Sequence, residues 1–215
     1  MAARGRFITI EGGEGAGKST QVKMLAAALN DAGHSVVTTR EPGGSPNAEA
    51  IRSLLLEGSR SRWDPTGEVL LFQAARRDHV GQLIEPALAA GRWVVCDRFV
   101  DSTTAYQGYG HGMSLAELAA LQRFAIGDFG PDLTLILDLP VAAGFGRARQ
   151  RTGAADRFER LDPTFHERVR QGFLSIAAAN PDRCVVIDAA AGDPDVVHQR
   201  ARAVFAARLG IVFTR

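Results

Sequence analysis

Apolar residues recur along this chain with two periods. Continuous runs at 7–10 (Phe-Ile-Thr-Ile), 93–96 (Trp-Val-Val-Cys), 133–137 (Leu-Thr-Leu-Ile-Leu) and 184–187 (Cys-Val-Val-Ile) lack the polar alternation of a half-exposed strand, which is the pattern of strands buried on both faces. A fifth short strand is predicted at 35–39. Between them the period lengthens to that of a helix. Val22, Leu25, Ala26 and Leu29 mark one over 18–32, closed by Gly33, and further helices are predicted at 47–56, 141–149, 162–179 and 193–209. Asp64-Pro65 opens the longest, which runs to Ala89 on Val69, Phe72, Ala75, Val80, Leu83, Ile84 and Leu88. The opening strand-helix-strand unit needs a right-handed crossover, so the sheet is expected to be mainly parallel. Three runs end in carboxylates, Asp97, Asp138 and Asp188, at the sheet edge where open α/β folds bind ligands. For Asp138 and Asp188 a simple turn-starting role stays open.

Between the first strand and its helix stands Gly12-Gly13-Glu14-Gly15-Ala16-Gly17-Lys18-Ser19-Thr20, which fits G-x-x-x-x-G-K-[ST]. Glycines let successive backbone N–H groups turn toward phosphate oxygens, and the following helix aims its positive dipole end at them. Lys18 is spaced to reach the β/γ-phosphates and the Ser19 hydroxyl to ligate Mg²⁺. Asp97-Arg98, at the end of a buried strand, adds a carboxylate able to hold the same metal and a guanidinium able to clamp phosphate. Arginines gather again at Arg147, Arg149, Arg151, Arg157 and Arg160, with no acidic residue from 144 to 155. Uncompensated like charges await an anion, so a lid over about 147–160 that closes on the transferring phosphate is expected.

Composition narrows the remainder. The 215 residues, 46% of them hydrophobic, suffice for one buried core, and a single domain over 1–215 is expected. A formal net charge of +1 gives no global attraction to nucleic acid or to a membrane surface. Cys96 and Cys184 both lie in apolar runs, as free core thiols of a reducing compartment would. With no leader pattern and no 18-residue apolar stretch, a cytoplasmic protein is expected.

Taken together, Glu11-Gly-Gly-Glu-Gly-Ala-Gly-Lys-Ser-Thr20, Thr39-Arg-Glu-Pro-Gly-Gly44, Phe72-Gln-Ala-Ala-Arg76, Asp97-Arg98 with Ser102-Thr-Thr-Ala-Tyr-Gln-Gly108, and Asp156-Arg-Phe-Glu159 resemble the bacterial thymidylate kinase family over nearly the whole chain. The resemblance implies an α/β fold of the P-loop NTPase type, with a five-stranded parallel sheet flanked by helices on both faces and an arginine-bearing lid. It implies transfer of the γ-phosphoryl group of ATP to dTMP with Mg²⁺, in dTTP synthesis, by a homodimer. ATP would be held by residues 12–20, that is Gly12, Gly13, Glu14, Gly15, Ala16, Gly17, Lys18, Ser19 and Thr20, with Arg147. Magnesium would sit on Ser19 and Asp97. Phe72 matches the position that stacks on thymine and Arg76 the one that donates to a thymine carbonyl; at i and i+4 on a helix they can address the face and edge of one base. Arg40 and Arg98 would hold the dTMP phosphate and Glu14 the sugar 3′-hydroxyl. Tyr106 would crowd a ribose 2′-hydroxyl, with Ser102, Thr103 and Gln107 completing the acceptor site. Thr103 departs from the Asn of related enzymes, so water is expected to bridge it to the base. The phosphate loop carries no Arg at its variable positions. The catalytic charge is therefore assigned to Lys18, Arg98 and the lid residues Arg149, Arg151 and Arg157.

Three other readings stay open on sequence grounds. A kinase for dUMP or a deoxynucleoside would differ in the pocket around Phe72, Arg76 and Tyr106. A hydrolysing switch that reads guanine would need Asn-Lys-x-Asp, yet Asn occurs only at 30, 47 and 180. A degenerate homologue is disfavoured by the intact Lys18, Asp97 and Arg98.

Overall fold

The computed structural model describes residues 4–59, 61–149, 157–158, 160–190 and 192–213. Five strands, β1 (Phe7–Gly12), β2 (Val36–Arg40), β3 (Trp93–Asp97), β4 (Leu133–Asp138) and β5 (Cys184–Asp188), pair in parallel in the order β2-β3-β1-β4-β5. Each predicted strand is present, β2 displaced by one residue toward Arg40, and three of them include the terminal Asp. This is the P-loop NTPase fold that the sequence implied.

Side-chain alternation explains why the central strands read as unbroken apolar runs. Ile8, Ile10, Val95, Leu133, Leu135 and Leu137 face α1 (Lys18–Asp31) and α9 (Pro194–Leu209), packing with Leu25, Leu29, Val197 and Phe205. Phe7, Val94 and Cys96 point to the other face and pack with Val80, Ile84, Phe99 and Ile126. Both faces are therefore covered, and the buried polar residues of β1 and β4 are partnered: Thr9 and Thr134 bond each other across the strands at 2.8 Å, and Glu11 near the end of β1 accepts the Phe99 N–H and the Ser102 hydroxyl.

Helix starts follow their sequence signals. Asp64, Asp162 and Asp193 each accept a first-turn N–H and each precede a proline, which loses nothing at a position whose N–H has no helical partner. They begin α3 (Pro65–His79), α8 (Pro163–Ala179) and α9. After α2 (Pro46–Leu56), the long helix runs as predicted from 65 to 89, but not uniformly. Between α3 and α4 (Glu85–Ala89) the turn Val80–Ile84 widens, and the Glu85 N–H reaches five residues back to the Val80 carbonyl. Pro86, which has no N–H and crowds the carbonyl four residues earlier, accounts for the widening.

Residues 100–110 and 115–126, for which no element was predicted, are helical. The short α5 (Val100–Thr103) continues as a widened helix over Thr104–Gly110, and α6 (Leu115–Ile126) follows, capped by Ser114 and ended at Gly127. α7 (Val141–Arg149) runs from the end of β4 into the predicted lid. Every strand thus delivers its C-terminal end to one edge, where β1 lies between β3 and β4.

Candidate active site

At that edge opens a cleft of about 460 Å³, whose walls come from the phosphate loop, the β2–α2 loop, α3, the β3–α5 turn and the start of α9. Residues 13–17 join β1 to α1, with Gly12, Gly15 and Gly17 at φ of 137°, 68° and 92°, values that side chains rarely allow. Gly15 has a second reason to be glycine. A Cβ there would strike the carbonyl of Gly144 on α7, and a Cβ on Gly144 would strike the carbonyl of Glu14, so loop and lid helix touch backbone to backbone. No side chain caps α1, which leaves its first N–H groups facing the cleft.

Lys18 is almost fully buried and folds back over the loop, donating to the carbonyls of Gly12 at 3.2 Å and Gly13 at 2.8 Å. Burial, reinforced by the facing Arg98, lowers its pKa from 10.5 to about 8 against the opposing pull of Glu14, Asp97 and Glu11. The Ser19 hydroxyl donates to Asp97 Oδ2 at 2.6 Å. A hydroxyl and a carboxylate side by side form an all-oxygen donor set, which fits a hard divalent cation that keeps several of its waters.

Of the three strand-end carboxylates, only Asp97 turns to the loop. Asp138 takes a two-pronged ion pair from Arg170 at 2.7 and 2.9 Å, and Asp188 pairs with Arg200 at 3.1 Å, so both brace α8 and α9 against the sheet.

Arg98 stands in a strained turn at φ 69°, the one non-glycine with positive φ among the described residues. Its guanidinium donates to Glu14 at 2.6 Å and to the Gly12 carbonyl at 3.2 Å. Glu14 also accepts the Tyr106 hydroxyl at 2.6 Å. Burial alone would raise the Glu14 pKa, yet Arg98, Lys18 and the Tyr106 hydroxyl together bring it down to about 2. Burial also pushes the Tyr106 phenol up, so it stays protonated as a donor. Behind this group sits Glu11, wholly buried, accepting the Phe99 N–H and the Ser102 hydroxyl, both at 2.6 Å; burial and the nearby Asp101 raise its pKa to about 8. Ser102 in turn accepts from Arg98 at 3.3 Å.

Farther along the cleft, Phe72 lies 6.1 Å from Phe158, and both line the wall together with Tyr106, Thr103 and Gln107. Arg76 is buried and bonds Glu41 and Thr103. Gln107 donates to Glu68 at 3.1 Å. Arg40 is half exposed, and its Nη2 donates to both carboxylate oxygens of Glu49 at 3.0 Å. Arg147 lines the opposite end with Gly192 and Pro194, donating to the Ala189 carbonyl at 3.1 Å.

The chain matches a family model described as thymidylate kinase over residues 10–201. It is 55% identical to the thymidylate kinase of Caulobacter vibrioides over 97% of this chain and 99% of that one. The chain belongs to the thymidylate kinase family. These are ATP-dependent nucleoside monophosphate kinases that phosphorylate dTMP, as the sequence resemblance implied. The enzyme of Rhodopseudomonas palustris is 59% identical over 87% of this chain and 83% of its own length. The crystal structure of the thymidylate kinase from Ehrlichia chaffeensis superposes with a TM-score of 0.72 at 38% identity, covering 94% of this chain and 99% of the other.

Most of the predicted site residues converge on this family's cleft; the lid arginines fare differently. Arg157 is buried in an ion pair. Its side chain is 2% exposed, paired with Glu68 at 2.6 Å and bonded to the Leu55 carbonyl at 3.1 Å, so it anchors the end of the lid to α2 and α3 and is absent from the cleft lining. Asp156 on one side of it gave no hint of this, because the buried partner is 89 positions away. Arg151 and the side chain of Arg149 lie outside the described residues. Glu41, His79, Glu68 and Glu11 were not predicted as site residues, although Glu41 and Glu11 stand inside the motifs that carried the resemblance.

Proposed function

We propose that this chain transfers the γ-phosphoryl group of ATP to dTMP with the roles that follow. The carrying observation is the order along one cleft: phosphate loop with Lys18 and Ser19–Asp97, then Arg98–Glu14–Tyr106, then the pocket of Phe72 and Arg76. That order suits a triphosphate, an acceptor phosphate and a base laid end to end. The loop amides and Lys18 receive the donor phosphates, Lys18 exchanging two carbonyl oxygens for phosphate oxygens that carry full charge. Magnesium would be held by Ser19 and Asp97, where it would neutralise charge on the β- and γ-phosphates.

Arg98, kept charged by Glu14 and Asp97 despite its burial, meets the acceptor phosphate, aided by Arg40. The Arg40–Glu49 pair is half exposed, worth little in itself and open to exchange for phosphate. A phosphate oxygen of dTMP attacks the γ-phosphorus, the bond from γ-phosphorus to the bridging oxygen breaks, and ADP leaves. Glu14, ionised across the neutral pH range, accepts the sugar 3′-hydroxyl. Tyr106, tethered to Glu14, closes the 2′ side. Phe72 stacks on thymine, with Thr103 and Gln107 beside it, and Ser102 steadies Arg98. Lid residues Arg149 and Arg151 supply charge to the transition state, which the acid-free run from 144 to 155 supports.

The same reading makes the protein a cytoplasmic homodimer. No described helix is long and apolar enough to cross a membrane. The pair α3 and α6 exposes Leu70, Leu115 and Phe124, the last 92% exposed, and a second copy of this face would cover them. Calorimetric titration tests the acceptor site. Arg98→Ala is expected to weaken dTMP at least tenfold with ATP affinity within threefold of the wild type; the reverse pattern would mean that the acceptor phosphate lies elsewhere.

A further inference from the structure

Arg76 offers five N–H donors in a fixed fork. Nε and Nη2 both lie 2.8 Å from a single oxygen of Glu41, Oε2, and Nη2 also donates to Thr103 at 3.0 Å. Nη1 has only a 3.5 Å contact with Gln73, so it is the loosely held end of the fork. The guanidinium lies over the Phe99 ring, 5.2 Å from its centroid. Its orientation is therefore set from two sides and from below.

Glu41 is in turn held from behind. Its second oxygen, Oε1, meets His79 Nδ1 at 3.2 Å, and His79 Nε2 meets the Thr39 hydroxyl at 2.7 Å. Both ring nitrogens of His79 are therefore engaged, Nδ1 by the Glu41 carboxylate and Nε2 by the Thr39 hydroxyl, which fixes the plane of the ring. Glu41, Arg76 and His79 are all almost fully buried. Gly44, at φ 90°, packs directly on the Thr39–His79 bond, and a Cβ there would collide with both side chains. A buried ion pair of this kind contributes little to stability compared with an apolar replacement, because the desolvation of two charges offsets most of their attraction. What the arrangement does supply is a single direction for one fork.

We propose that Glu41 and His79 are positioning residues for base selection, holding Arg76 so that Nη1 points at a carbonyl of the acceptor base. This rests on the reading of Arg76 as the donor to thymine. A rigid N–H donates to a carbonyl oxygen and rejects an exocyclic amino group, which is itself a donor. A loosened fork can turn aside, so discrimination falls further than turnover does.

The test compares dTMP with 5-methyl-dCMP, which carries an amino group in place of one base carbonyl, in steady-state assays of wild type, Glu41→Gln, Thr39→Val and Arg76→Ala, each with a thermal melt. Glu41→Gln is expected to raise KM for dTMP about tenfold, to leave kcat and KM for ATP within threefold, and to reduce the kcat/KM preference for dTMP about tenfold. Thr39→Val, which removes the bond to His79 and none to Arg76, should move the same preference in the same direction by about twofold to threefold while still melting cooperatively at a somewhat lower temperature, so it carries the test if Glu41→Gln fails to fold. Unchanged preference in a folded Glu41→Gln, or in Thr39→Val where Glu41→Gln does not fold, overturns the proposal while Arg76→Ala still loses dTMP. An Arg76→Ala variant that keeps dTMP affinity and preference would instead overturn the underlying assignment of Arg76.

Discussion

Lys18 shows how a residue can be prepared for a ligand at the expense of its own charge. Buried beside Arg98, it gives up its proton near pH 8, whereas an unfolded chain keeps it to about 10.5. Between those values the unfolded state binds more protons, so stability of the unliganded protein from this group rises with pH across that window. A triphosphate placed on Nζ reverses the balance and favours the charged amine. ATP binding at pH 8.5 is therefore expected to take up protons, seen by calorimetry as a binding enthalpy that changes between buffers of different ionisation enthalpy. Lys18→Ala should lose much of that dependence, and an identical dependence in the variant would contradict the account. Lys18 itself was legible in the sequence because its loop is encoded by local spacing. Arg76 was legible only by resemblance, since Glu41 reaches it from the β2–α2 loop and Phe99 and Thr103 from the two ends of α5, and no local pattern announces a contact between distant positions.

At the scale of elements Arg157 is an anchor, while Arg149 and Arg151 are proposed to act on the phosphate. Arg157 pairs with Glu68 where both are shielded from water, and truncating one partner of such a pair typically costs about 3–5 kcal/mol because the other is left charged and buried. Arg157→Ala should accordingly lower the midpoint of urea unfolding, while Arg149→Ala or Arg151→Ala should leave it unchanged and slow the single-turnover chemical step about tenfold, which is roughly 1.4 kcal/mol. Equal effects of all three on unfolding would remove the distinction. The strands and capped helices could be read from sequence because periodicity, Asp-Pro starts and glycine stops are local. The helical stretch 100–110 escaped because Thr-Thr-Ala-Tyr-Gln-Gly-Tyr-Gly is a poor intrinsic helix; its widened turns are held by packing against α8 and place Tyr106 and Gln107 in the cleft. α6 carried its own signals, Ser114 followed three residues later by Glu117 and a stop at Gly127.

For the whole molecule, one sheet edge gathers the phosphate loop, Asp97-Arg98 and the acceptor pocket, and one outer face exposes Phe124. If that face joins two copies, Phe124→Glu is expected to shift sedimentation from dimer toward monomer at micromolar concentration, and an unaltered dimer would place the interface elsewhere. The central claim concerns the cleft as a unit: a phosphate site, an acceptor clamp and a base pocket that select one nucleotide. Its most direct test is the initial rate of ADP formation from ATP and Mg²⁺ with dTMP, dUMP, dCMP and the ribose form of TMP supplied in turn. The account predicts dTDP as product, with kcat/KM for dTMP exceeding that for dCMP and for the ribonucleotide by about a hundredfold or more. Comparable rates with dCMP, or ATP hydrolysis indifferent to any acceptor, would contradict it.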